Sequence, residues 1–393
     1  MKPFSHLHDA LKSWLTPTDW AHQTHLTVAL LMVAALIHTG TVNLTKWALC
    51  LPNRGAKQRA QSQQRRLSRW LHNARINVHR LYKPIITQAL ADWREPVMYV
   101  ALDTSLFWEE SCLVRLAVVH KVRSLPLCWC VLHHPSASVA YDAYAWILTR
   151  AAGCIPDGVK VVLLADRGFV QTELMKALTK TLGWNYRIRL KSNSWIWRGK
   201  KGWCQLKDYH LNRGQALCFH NVRLHKGAYY GVVHIIIGRN TVNGEFWAIV
   251  SDEKTTLKTF EEFGLRFDIE EGFLDDQSSG WNVQQSEIRD SRALSRLWFI
   301  LALATLYVSA QGVAVVESGK RQMVDTHWFR GNSYFRIGLD WVKTSFIKGW
   351  EVIQSVRFTS NKDPEPAMAS RKQHEKRLFQ IEFKVQTFVF NAI

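Results

Sequence analysis

Two short runs constrain this chain more than anything else in it. Met98-Tyr99-Val100-Ala101-Leu102-Asp103 and Val161-Val162-Leu163-Leu164-Ala165-Asp166 are each an apolar stretch that stops abruptly at a carboxylate. Such runs read as buried strands, and an acid at the carboxyl mouth of a buried sheet is where α/β folds place their sites. A third acid, Glu270, lies in the segment 263–273, which is too long and too close to a 3.6-residue period to be a strand, so a helix is expected to carry it. Carboxylates are the hard oxygen ligands that magnesium takes. Two on a sheet and one on a helix point to two-metal phosphoryl transfer.

The surrounding pattern gives those acids a frame. From Pro96, strand-like runs at 98–102, 112–120 and 125–132 are followed by a helix at 140–152, a strand at 160–165, a helix at 170–182 and a strand at 185–190. That succession is the order of an RNase H-like, retroviral-integrase-like mixed-sheet core, with the first acid on the first strand and the second just after the fourth. Residues 1–92 read as helices at 7–15, 24–37, 61–74 and 79–93, a helical N-terminal DNA-binding region. After the first part of the core (93–190), Trp-rich basic runs at 195–197, 203–209, 216–225, 229–237 and 245–251 read as an inserted β subdomain (191–252). Helical pattern returns at 254–277 and 286–310, giving a second core part (253–316) that carries Glu270. A C-terminal region (317–393), with a basic stretch at 371–377, is left for dimer or DNA contacts. The expected fold class is therefore α/β, an RNase H-like core with a β insertion and a helical N-terminal domain.

Composition selects a partner for this chemistry. Lys+Arg 51 against Asp+Glu 32, a formal charge of +19, is a field that a polyphosphate answers. With 47% hydrophobic residues the chain has ample core, which excludes disorder as its main character. A membrane surface is the competing partner, but residues 26–37 are too short for a span, and 297–316, long enough, contain Ser309, Gln311 and Gly312 and read as a buried helix. No membrane partner is expected. The seven cysteines are scattered without a C-x-x-C pair, which argues against a disulfide framework or zinc ribbon and for a reducing cytoplasm; the polar start Met1-Lys2-Pro3-Phe4-Ser5-His6 is unlike a secretion signal. No G-x-x-x-x-G-K-[ST] loop is present, so ATP is not expected, and His133-His134 lacks the partners of a metal motif. The basic cluster Arg54, Lys57, Arg59, Arg65, Arg66 and Arg69, interleaved with Gln and Ser, suits phosphate contact as a group, although any one of these residues reads equally well as part of a solvated helix face.

On a helical wheel Phe263, Arg266, Glu270 and Gln277 fall within an arc of about 60°. Arg266 and Glu270 alone are an i,i+4 pair that needs no function. The spacing Phe263-x2-Arg266-x3-Glu270-x6-Gln277, however, resembles the Tyr-x2-Arg-x3-Glu-x6-Lys signature of bacterial insertion-sequence DDE transposases of the "insertion sequence four" group. Ala101-Leu102-Asp103-Thr104-Ser105 and Leu164-Ala165-Asp166-Arg167-Gly168-Phe169 resemble the patterns around that family's first two acids.

The resemblance implies a cut-and-paste enzyme that nicks double-stranded DNA at inverted-repeat ends, forms and reopens a hairpin, and joins the ends to target DNA. Asp103 would bridge two magnesium ions, which manganese can replace, with Asp166 and Glu270 each completing one. Arg167 and Arg266 would orient phosphate or carboxylates, and Trp247 would stack a flipped base. A homodimer on paired ends, associated with a bacterial nucleoid in the cytoplasm, completes the expectation. Phe263 in place of Tyr and Gln277 in place of Lys depart from the family where it grips the DNA backbone; the second loses a cation, although Gln still donates hydrogen bonds. Those departures keep open a catalytically decayed DNA-binding descendant, and a stand-alone metal-dependent nuclease of the same fold shares all three acids.

Overall fold

The structure, a computed structural model, describes residues 5–52, 59–225, 230–241, 243–360, 362–366 and 384–390. Helices α1 (Ser5–Leu15), α2 (Gln23–Thr39), α3 (Leu44–Cys50), α4 (Ala60–Leu71) and α5 (Val78–Leu90) precede the sheet. Asn43 and Asn77 start α3 and α5 by accepting from backbone N–H groups two or three residues on. α2 ends at Gly40 in the left-handed conformation, φ 65°. Four of these helices match the sequence reading within a few residues, and α3 is additional. Arg54 and Lys57 of the basic cluster lie outside the described residues.

The strands β1 (Val97–Phe107), β2 (Ser111–His120) and β3 (Arg123–His133) form an antiparallel meander; α6 (Tyr141–Ala152), β4 (Lys160–Ala165), α7 (Thr172–Lys176) and β5 (Asn185–Arg189) follow. β4 lies parallel to both β1 and β5. This is the succession that the hydrophobic pattern predicts, and it is consistent with an RNase H-like fold. β6 (Trp195–Trp197), β7 (Trp203–Gln205), β8 (Gln215–Leu224), β9 (Val232–Arg239) and β10 (Phe246–Ser251) come next. They appear where the sequence places strands, but not as a separate subdomain. β10 pairs antiparallel with β5 through Ile249↔Arg189 and Val250↔Ile188, so the inserted strands prolong the core sheet. A strand edge carries unpaired N–H and C=O groups, and the apolar β10 satisfies those of β5. Among the described residues one mixed sheet results, in the order β3-β2-β1-β4-β5-β10-β9-β8-β6-β7, with β11 (Lys384–Val389) parallel to β8.

α8 (Leu257–Gly264) and α9 (Phe267–Leu274) return the chain to the sheet, and α10 (Ser291–Glu317) passes through the centre of the molecule. By length and composition α10 could cross a membrane, but 89% of its most apolar window is buried inside the protein. Its neighbours include α2, β3, α5 and the C-terminal helix α11 (Tyr334–Lys348). At Gly312 an added Cβ would lie 1.8 Å from the Tyr334 carbonyl oxygen, and at Gly338 1.8 Å from that of Val308, so α10 and α11 touch backbone to backbone only because both positions are glycine. Leu7, Leu36, Leu71 and Ile86 of the N-terminal helices belong to the same buried cluster as Leu163 and Leu303. The N-terminal region thus shares the core of the sheet instead of enclosing one of its own. The basic stretch at 371–377 lies outside the described residues.

Candidate active site

Asp103 is not at a strand end. β1 stops pairing with β4 at Leu102↔Ala165 but goes on pairing with β2 as far as Phe107↔Ser111, so Asp103 stands where the strand loses one of its two neighbours. The reason lies in the next residues: Ser105 and Phe107 are buried and Leu106 exposed, a period-2 alternation that carries the hairpin onward. Asp166 is the first residue after β4, and its carbonyl accepts from the Phe169 N–H (2.9 Å) in a tight turn. The parallel register brings these two acids to the same mouth of the sheet.

The third acid arrives on a helix that is broken where the wheel assumed continuity. Between α8 and α9, Leu265 and Arg266 bond back three residues, to Glu262 and Phe263, tightening the turn. Arg266 is thereby aimed at the sheet: its Nη1 donates to Asp103 Oδ2 (2.8 Å) and its Nη2 to Glu270 Oε1 (2.6 Å). One guanidinium, buried over the Phe267 ring at 5.0 Å, joins the strand acid to the helix acid. The second Asp103 oxygen accepts from the Thr104 N–H (2.8 Å). Burial pushes the Asp103 carboxyl above its ordinary range, Arg266 and the Thr104 N–H oppose that, and the charges of Glu270 and Asp166 add to it. Glu270 and Asp166 thus both lie near enough for their charges to bear on Asp103.

Gln277 also comes to this place. Past α9 the chain makes a wide turn over Asp275–Ser279, and Gln277 Nε2 donates to Ser105 Oγ (2.9 Å), two residues along β1 from Asp103 and on the same face. Phe263 does not. It is fully buried in a second cluster with Ile236, Ile249 and Phe260, and the Trp247 ring packs on it at 5.5 Å. Trp247 itself is 7% exposed, so in this conformation neither ring offers a face to a base. Arg167 is exposed beside Asp166, and Arg65 and Arg69 are exposed on the side of α4 away from the buried Leu67 and Trp70, with Arg66 half-buried between them.

Residues outside the sequence reading fix the helix in position. Arg115, on β2 directly opposite Asp103, is buried; it pairs with Asp276 after α9 and its guanidinium lies 4.1 Å over the Phe273 ring. Arg123 on β3 donates to Asp275 (3.1 Å). At Gly272 an added Cβ would fall 2.4 Å from Ser124 Oγ and 2.9 Å from Arg115 Nη2, so only glycine lets α9 lie this close to β2 and β3. A lone arginine inside the apolar run Cys112-Leu113-Val114-Arg115-Leu116-Ala117 was the available signal.

Among the described residues no group of three His, Cys, Asp or Glu side chains is placed to hold a metal ion, and Arg266 occupies Asp103 and Glu270. The donor set nevertheless fits a hard cation. Asp166 Oδ1 is buried without a hydrogen-bond partner, and Asp103 and Glu270 share one guanidinium between them, which leaves carboxylate oxygens for a hard ion.

Residues 114–307 match the family described as "Transposase DDE domain". The chain carries a transposase DDE domain. Asp166, Arg266, Glu270 and Gln277 fall inside the matched stretch, and Asp103 lies just ahead of it. No curated protein matches the chain. Among solved structures, the transposase domain and its flanks are similar to a piggyBac transposase synaptic complex with hairpin DNA, at 8% identity over 89% of this chain and 79% of that one, TM-score 0.45. A weaker similarity is to the Marinitoga piezophila Argonaute in complex with guide RNA and target DNA, at 10% identity over 64% of this chain and 37% of that one, TM-score 0.24.

Proposed function

We propose that this chain is a working DNA transposase of the "insertion sequence four" type, which cleaves double-stranded DNA at the inverted-repeat ends of its own element and joins the freed 3′ ends to target DNA. The observation that carries the reading is the Arg266 guanidinium, which ties Asp103 to Glu270 while Asp166 ends the neighbouring strand. The parallel register of β1 and β4 and the Arg266 bridge support reading the three motifs as parts of one site.

Asp103, Asp166 and Glu270 are the residues that would hold two magnesium ions. When bound, such ions stabilise the charge on the attacking and leaving oxygens of a phosphodiester and acidify a water or 3′-hydroxyl. The chain's own residues prepare the place. Arg266 bridges half-buried Asp103 and exposed Glu270 in the resting protein and offsets part of their repulsion, and it stays at hand as a cation for the phosphate once those acids are engaged elsewhere. Gln277, anchored on Ser105, presents an amide beside the same strand, and exposed Arg167 adds a cation next to Asp166. The basic face of α4 is assigned to DNA backbone, and a homodimer on paired ends in the bacterial cytoplasm is the assembly that fits this reaction.

The test is a cleavage assay with magnesium and a DNA fragment carrying the element ends. Wild-type protein is expected to make double-strand breaks at those ends. Asp103→Asn is expected to abolish cutting and keep binding, because it removes a metal-ligand charge without touching α4. Wild-type protein that binds ends but cuts only after Gln277→Lys and Phe263→Tyr would identify a decayed copy instead. Cutting without joining would identify a nuclease.

A further inference from the structure

The edge of the sheet furthest from β3 carries a feature that the acids do not explain. Between Lys191 and Arg213 the chain has six basic residues, Lys191, Arg198, Lys200, Lys201, Lys207 and Arg213, against one acid, Asp208. That acid is engaged locally, accepting from the Gln205 N–H at 2.9 Å. β6 and β7 form a hairpin whose tip is Arg198-Gly199-Lys200-Lys201-Gly202, closed by the Arg198 N–H donating to the Gly202 carbonyl (3.1 Å), with both glycines at positive φ. Lys200 and Lys201 are exposed at the turn and have no ion pair among the described residues. Behind them Trp197 and Trp203 pair across the strands with rings 5.6 Å apart, and Arg198 is held on Tyr209 by a 3.1 Å hydrogen bond and a ring contact at 5.5 Å. Ile196 is fully buried beneath. The tip is thus a stiff projection carrying unpaired positive charge.

Its place in the sheet gives it a partner. β6 is six strands from β1 in the order β1-β4-β5-β10-β9-β8-β6, and at about 4.8 Å per strand that is about 29 Å from the strand of Asp103. One helical turn of duplex DNA is about 34 Å. We propose that the β6–β7 hairpin is a second DNA contact: Lys200 and Lys201 grip the phosphate backbone of duplex about one turn from the phosphate held at the acids. The inference rests on the transposase reading and adds to it a surface and a register. The lysines read no sequence; they fix the path of the duplex across the sheet.

The test is binding of the full chain to a fluorescent 30-base-pair random-sequence duplex in EDTA, over a salt series. Each phosphate neutralised contributes about 0.9 to the slope of log affinity against log salt. Lys200→Ala with Lys201→Ala is therefore expected to lower the slope by about 1.8 and the affinity at 0.1 M salt by about 60-fold. Lys200→Arg with Lys201→Arg is expected to keep the wild-type slope, and a control pair on other elements, Lys12→Ala with Lys362→Ala, to stay near it. A tip variant no different from the control pair, or an arginine variant as weak as the alanine one, overturns the contact while leaving the transposase reading in place. Wild-type protein that binds no duplex even at low salt overturns both.

Discussion

Cations serve two opposite purposes at two places on one sheet. Beside Asp103, Arg266 and Arg115 are buried, each is matched to carboxylates, and each lies over an aromatic ring. At the β6–β7 tip, Lys200 and Lys201 are exposed and carry no acid partner among the described residues. A buried guanidinium with fixed partners sets geometry and is expensive to disturb. An exposed ammonium sets nothing within the fold and remains available to a polyanion. Substitutions at the first place should therefore change stability and chemistry together, and at the second only affinity and its salt dependence.

The largest effect that could break this contrast is at Arg115. Arg115→Ala leaves Asp276 buried without its partner and is expected to cost about 3–5 kcal/mol, read as a fall in the denaturant midpoint. Arg115→Met with Asp276→Leu should recover most of it. A loss under about 1 kcal/mol for Arg115→Ala would mean that the pair is not a buried anchor. Next is Gly272→Ala, whose methyl meets Ser124 Oγ. It is expected to destabilise by about 1–3 kcal/mol and to slow cleavage by displacing the helix of Glu270, with Ser124→Ala relieving part of both. Unchanged cleavage would separate the seat of α9 from the chemistry.

Acid sensitivity sharpens the same contrast away from the site. Burial, with help from Arg150, pushes the His79 imidazole down to about 4, and burial beside Lys121 pushes His120 down to about 3, both from 6.5. Both are neutral in the fold. Below pH 6.5 the unfolded chain takes up protons that the folded chain refuses, so stability present above that pH is lost as it falls toward 4. Between pH 7 and pH 4 the midpoint of His79→Gln should therefore rise relative to that of the wild type, and a difference that does not change with pH would contradict the buried neutral imidazole. The smallest effect is expected on α4: Arg65→Ala with Arg69→Ala should leave stability within about 0.5 kcal/mol and flatten the salt slope of DNA binding.

Much of the frame could be read from the sequence because buried strands announce themselves as apolar runs. β2, β4 and β5 fall where those runs are, and Asp103 and Asp166 could be named from their ends. Local pattern does not carry information about edges. Nothing in 246–251 says that β10 will pair with β5, because backbone hydrogen bonding is blind to side chains, and so the inserted strands prolong the core sheet. A wheel likewise assumes one uninterrupted helix. The tightened turn at Leu265–Arg266 and the wide turn over Asp275–Ser279 keep Arg266, Glu270 and Gln277 over β1, while Phe263 turns into the cluster of Trp247 and Phe260. Arg115 was visible as a charge inside an apolar run, but its partner Asp276 is 161 residues away and only the fold joins them.

The central claim is that Asp103, Asp166 and Glu270 form one cation site with Arg266 as its resting counter-charge. Manganese titration followed by electron paramagnetic resonance, on the wild-type chain and on Asp103→Asn, Asp166→Asn and Glu270→Gln, tests it without any DNA. The expected result is tight manganese binding in the wild type, weakened by at least about tenfold in each single variant. Glu270→Gln binding manganese as the wild type does, while both aspartate variants lose it, would contradict the claim and leave the helix acid a partner of Arg266 alone.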